Sequence, residues 1–122
     1  KWIETHRDTG RAPVYRYRFD RTIPGDPASQ FGAPHAVDTE YAFNTLDSKQ
    51  ADWQEADRRV AELMATAFAN FVRTGDPNGP GVPDWPKFSD SGEVMYFDGA
   101  SKAGPEEHRA RYVFLDSVVG KD

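Results

Sequence analysis

The sequence contains no cysteine. It can form no disulfide and no thiolate metal site, and it carries no clue to redox compartment. No stretch of about 18 apolar residues occurs, so no segment reads as a membrane-spanning helix. Lys and Arg never gather into a block, and with 15 basic against 20 acidic residues the net charge is −5. A nucleic-acid groove or a membrane-binding face is therefore not expected. Histidine is scarce too: His6, His35 and His108 are far apart, and none has a second His at zinc-site spacing. The expectation is no metal and no cofactor. The start lacks a basic and then apolar leader pattern, and Lys1-Trp2-Ile3 opens the chain at once. That opening suggests a piece of a longer polypeptide.

What is present is enough for a core. The 122 residues are 38% hydrophobic and 13% aromatic, too apolar for a disordered tail and long enough for one modest domain. Residues 1–9 read as the end of a helix, with Trp2, Ile3 and His6 on one face and Gly10 just beyond. Tyr15, Tyr17 and Phe19 alternate with Arg16 and Arg18, the period of a half-exposed strand over 14–20, with the arginines solvated. Residues 22–31 hold Pro24-Gly25-Asp26-Pro27 and form a loop. A short helix or turn follows over 40–46, with Tyr41, Phe43 and Leu46 facing inward, and 47–51 is polar and mobile.

The strongest periodicity comes next. Val60, Leu63, Met64, Ala67, Phe68, Phe71 and Val72 recur at helical spacing and form the apolar stripe of an amphipathic helix. Asp52 or Gln54 starts it, Glu55 and Asp57 suit its positive end, and Gly75 ends it. Met64, Phe68 and Phe71 are expected as core. Residues 76–83 form a rigid multiple turn; its Asp-x-Asn-Gly run hints at calcium, but Pro77 and Pro80 interrupt the regular oxygen spacing a calcium loop needs. Trp85 and Phe88 flank Pro86 as a cap over the helix, and 93–98 is a second strand, expected to pair with 14–19. Pro105-Glu106-Glu107 looks like a helix start, with His108, Tyr112, Leu115 and Val119 sharing a face.

The chemistry concentrates at Gly32-Ala33-Pro34-His35. Pro34 fixes its own φ and pushes Ala33 towards extended backbone, while Gly32 can adopt angles other residues avoid. Such a bend can hold an imidazole at hydrogen-bonding distance from a substrate, as a general base requires. It equally suits a histidine that packs under a turn. A base for nucleophilic attack also needs a nucleophile, a carboxylate to fix its tautomer and oxyanion donors. The nucleophile elbow Gly-x-Ser-x-Gly is absent, as is a Gly-Gly oxyanion loop. The nearest approach, Gly99-Ala100-Ser101-Lys102-Ala103-Gly104, is one residue too long. These residues hold one member of a triad at most.

The run from Gly32 through His35, Asp38, Tyr41 and Phe43 resembles the catalytic-histidine segment of type-B carboxylesterases, the cholinesterase-like branch of the α/β-hydrolases. Three further stretches agree in order: the strand at 14–19, the helix from Asp57-Arg58-Arg59 through Asn70 to Gly75-Asp76-Pro77-Asn78-Gly79, and Trp85-Pro86-Lys87-Phe88. The likeness covers about residues 10–100. Asp38 stands where that family usually has Glu, and Glu40 where proline is common.

The resemblance implies that residues 1–122 are a single C-terminal portion of an α/β-hydrolase, α+β as an isolated chain, supplying late strands and a long amphipathic helix. It implies a serine carboxylesterase with His35 as the catalytic acid/base, no cofactor, and a small-molecule ester as substrate. The serine and the triad acid would come from the remainder of the parent hydrolase, so the chain would be inactive alone. Taken by itself it would expose a strand edge and self-associate. The alternatives are a non-catalytic interaction domain of cholinesterase type, and a free-standing binding domain.

Overall fold

The computed structural model describes residues 2–119. The chain order is α1 (Trp2–Thr9), β1 (Tyr17–Phe19), α2 (Thr39–Ala42), α3 (Glu55–Thr74), β2 (Glu93–Phe97), β3 (Lys102–Pro105) and α4 (Arg109–Val119). Two 3-10 turns, Pro27–Phe31 and Leu46–Ser48, sit between. The expected start of the first helix at Lys1 lies outside the described residues.

α3 forms as its stripe predicts. Gln54 precedes it in extended backbone (φ −84°, ψ 160°), and its N–H donates to Asp57 Oδ2 at 2.9 Å, half of a capping box. Gly75 closes it at φ 77°, with its N–H on the Phe71 carbonyl at 2.7 Å. Val60, Ala61, Met64 and Ala67 are buried against Tyr41, Leu46, Trp85, Met95 and Phe97 in one core. Each large side chain in it contributes on the order of 1.5–3 kcal/mol.

The sheet is small and mixed. β1 runs parallel to β2 in the register Tyr17↔Met95, Arg18↔Tyr96, Phe19↔Phe97, so the expected pairing of these two segments is present. β2 runs antiparallel to β3. A parallel pair needs a long crossover, which α3 and its flanking loops provide.

Several expectations are corrected. β1 is shorter than 14–20, because the Val14 carbonyl accepts from Phe88 N (2.7 Å), in a segment that is not strand. Pro105 ends a strand instead of opening a helix; α4 begins at Arg109, after a turn in which His108 takes φ 61°. Phe43 points outward, 74% exposed, and so do Phe71 at 45% and Val72 at 85%. The stripe of α3 is core in its N-terminal half and open in its C-terminal half. Trp2 is 93% exposed, and α4 buries no residue. Arg16 and Arg18 are not simply solvated: Arg16 pairs with Glu106, and Arg18 reaches Glu107 at 2.6 Å and Asp20 at 3.0 Å.

Candidate functional site

The segment carrying His35 leaves β1 and ends in α2. Gly32 takes φ 113°, a backbone angle that a side chain would strain, and its N–H closes the preceding 3-10 turn on Ser29 O at 3.1 Å. Pro34 opens a tight turn in which Val37 N donates to the Pro34 carbonyl at 3.3 Å. His35 and Ala36 are its two central residues, and Ala36 takes φ 62°, a left-handed angle uncommon for alanine. Val37 turns inward and is buried. His35 stays exposed and makes no hydrogen bond with any described group. It lines a shallow depression with Phe19, Pro34 and Asp38.

Three positions after the imidazole the turn is tied down. The Tyr17 hydroxyl donates to Asp38 Oδ2 at 2.9 Å, joining the segment to β1. Burial, then the bond to Asp38, push the Tyr17 phenol up to about 12. Asp38, one methylene shorter than glutamate, therefore still reaches a partner. Its carbonyl accepts from Ala42 N at 2.8 Å and begins α2. Glu40 pairs with Lys49 at 2.8 Å.

A second tie lies deeper and escaped the sequence reading. Asp57, fully buried, accepts the Tyr41 hydroxyl on Oδ1 at 2.9 Å and Arg21 Nε on the same oxygen at 2.9 Å. Burial, then the Asp57 bond, raise the Tyr41 phenol strongly; burial lowers the Arg21 guanidinium, and Asp57 more than restores it. The only sequence signal was an acid in the first turn of a helix, which ordinarily means a solvated dipole partner.

His35 thus makes no hydrogen bond with any described group, and the two carboxylates that tie its segment down hold other donors. Asp38 is held by Tyr17, and Asp57 by Arg21 and Tyr41. His6 and His108 are exposed on α1 and just ahead of α4. The structure therefore brings no serine–histidine–acid triad together among the described residues.

Comparison with known proteins gives the family of the chain. The carboxylesterase family model matches residues 1–113. Mouse carboxylesterase 1F is 31% identical over 120 residues, 95% of this chain and 21% of the relative. Cat carboxylesterase 5A is 34% identical over 107 residues, 81% of this chain and 19% of the relative. The solved carboxylesterase of Geobacillus stearothermophilus superposes with a TM-score of 0.68 at 28% identity, over 84% of this chain and 22% of that one. A thermophilic pNB esterase gives a TM-score of 0.72 at 25% identity, over 85% and 22%. The chain spans about a fifth of the length of these relatives. Both the family match and the shared architecture lead to one conclusion: this chain belongs to the carboxylesterase family, of type B, and carries part of its α/β-hydrolase fold.

Proposed function

We propose that this chain is the C-terminal portion of a serine carboxylesterase and that His35 is its general acid/base. The observation that carries the reading is an exposed imidazole with no described hydrogen-bond partner, on a turn whose flanks are bonded to β1 and α3. A side chain that served packing would use its nitrogens inward.

In this reading a serine from the remainder of the polypeptide approaches His35. The imidazole takes the hydroxyl proton as the oxygen attacks the ester carbonyl, then returns it to the leaving alkoxide. Water then attacks the acyl carbonyl while giving a proton to the imidazole, which passes it to the serine oxygen as the acyl–serine bond breaks and the acid leaves. A carboxylate outside these residues orients the ring, because Asp38 and Glu40 follow the histidine closely on the same loop and Asp57 holds Arg21 and Tyr41. The chain alone does not hydrolyse esters, since these residues include no Gly-x-Ser-x-Gly elbow to supply the nucleophile. The rest of the polypeptide also covers the outer edge of β1 and the exposed Phe71 and Val72; without it the piece self-associates.

Replacing His35 by Ala in the complete protein lowers kcat/KM for a p-nitrophenyl ester by about a thousandfold or more. Its folding stability changes by less than about 0.5 kcal/mol, as at other exposed positions. Near-normal turnover in the variant would overturn the assignment, whereas a complete protein without ester turnover before any substitution would favour the non-catalytic interaction domain.

A further inference from the structure

The loop of residues 22–40 carries the imidazole, and its two ends meet on one atom. Arg21 stands two positions beyond the end of β1, at the loop's first boundary. Tyr41, in α2, stands at its second. Both donate to Asp57 Oδ1: Tyr41 through its hydroxyl at 2.9 Å, Arg21 through Nε at 2.9 Å and also through Nη2. The other carboxylate oxygen accepts Gln54 N at 2.9 Å. Asp57 is fully buried and belongs to α3, the longest element among the described residues.

We propose that Arg21, Asp57 and Tyr41 form a positioning unit for His35, a clamp that converts the rigidity of α3 into a fixed place for the imidazole. The proposal rests on the reading of His35 as the general base. A helix N-terminus requires only the Gln54 contact from an acid at this position. The additional donors come from the two boundaries of the catalytic loop and from nowhere else among the described residues. Loop closure limits how far the middle of such a segment wanders, and pinning both ends to one carboxylate shortens the free span to the loop itself. Charge-assisted hydrogen bonds are directional, so the clamp sets orientation as well as distance. A general base displaced by a fraction of an ångström loses its near-attack geometry while the ester still binds.

The clean variant is Tyr41→Phe. It keeps the ring packed on Phe19, with centroids 4.7 Å apart, and leaves Asp57 paired with Arg21. In the complete protein, kcat falls about tenfold with KM within about twofold. The same substitution is then made in the His35→Ala background, where residual turnover is raised by added imidazole and measured with and without it. There Tyr41→Phe changes turnover by less than about twofold, because a clamp that acts through His35 has nothing left to position. Arg21→Lys, which keeps the charge but loses the planar two-pronged contact, gives the same pattern at smaller size. Three results overturn the proposal: a full tenfold loss that persists without His35, an unchanged kcat with a lowered thermal midpoint, or a loss confined to KM. Should His35→Ala itself retain turnover, the reading of His35 fails first, and the clamp fails with it for that separate reason.

Discussion

Two turns in this chain are built from the same residue types and end in opposite states. The turn after α3, from Gly75 to Trp85, closes on itself. Asn78 uses both ends of its amide: Nδ2 donates to Asp76 Oδ1 at 2.7 Å and to the Trp85 carbonyl at 3.0 Å, and Oδ1 accepts Trp85 N at 2.8 Å. Trp85 in turn sends its indole N–H to the Arg16 carbonyl at 3.1 Å, next to the strand ladder. The backbone N–H of Asn78, then its side-chain amide, hold the Asp76 carboxyl below its ordinary range. The turn at His35 is also built on a glycine and a proline, Gly32 and Pro34, yet its one polar ring is left unbonded. The difference separates a turn that serves the fold from one that offers a group to another molecule: the first uses its polar atoms inward, the second pins its flanks and leaves the reactive atom out.

That contrast predicts a crossed pattern of effects. His35→Ala removes activity and leaves stability alone, the largest effect expected. Asn78→Ala does the reverse. It strips Trp85 N and the Trp85 carbonyl of their partners and costs about 2–3 kcal/mol of stability, since half-buried backbone groups are left unpaired. Under folding conditions kcat/KM changes less than about twofold. Urea unfolding and ester hydrolysis on one preparation of the complete protein check both. A proportionate fall in activity after Asn78→Ala would erase the distinction between the turns.

A smaller test compares the backbone of the two turns. Gly75 and Ala36 both occupy left-handed space, at φ 77° and 62°. Gly75→Ala costs about 1 kcal/mol, because a Cβ meets the carbonyl at that angle even though open space surrounds it. Ala36→Gly relieves the same strain, offset in part by the added freedom of the unfolded chain, so its stability stays within about 0.5 kcal/mol of the parent. Thermal midpoints of the two variants give the comparison directly. A large loss on Ala36→Gly would show that the histidine turn is not strained.

How much of this was legible beforehand follows from the kind of signal each residue carries. α3 was readable because seven apolar residues recur at helical spacing between a polar start and a terminal glycine, and local chemistry alone decides such an element. β3 was not: Lys102-Ala103-Gly104-Pro105 contains residues that strands avoid, and only pairing with β2 makes it one. Pro105 misleads because proline with following acids suits a helix start as well as a strand end. Phe43, Phe71 and Val72 are exposed against their apolar pattern because that pattern reveals which face is apolar and not what covers it. At the site, His35 was visible through its bend, while Asp57 hid in plain view. Its burial depends on Arg21 and Tyr41, which lie 36 and 16 positions before it and meet it only in the folded chain.

The smallest effect concerns the shallower tie of the histidine turn, from Tyr17 to Asp38. The free phenol titrates near about 10, and the folded one is pushed up to about 12. Below the lower value both states hold the proton, and the tie contributes fully. Between the two, the unfolded chain gives up its proton while the folded one keeps it, so rising pH favours unfolding. Above the higher value the donor is gone and Asp38 faces a phenolate. Stability therefore declines from about pH 10 to 12, and Tyr17→Phe makes that decline shallower. The difference is modest, since Tyr17 remains 37% exposed and water screens the pair. Tyr41 adds to the alkaline slope in the parent and the variant alike, so subtracting the two curves isolates Tyr17. Urea unfolding at pH 9 and pH 11 is the measurement, both conditions being chosen around the expected window. Equal slopes in the two proteins would mean that Asp38 does not rely on Tyr17, and that the clamp on Asp57 holds the turn by itself.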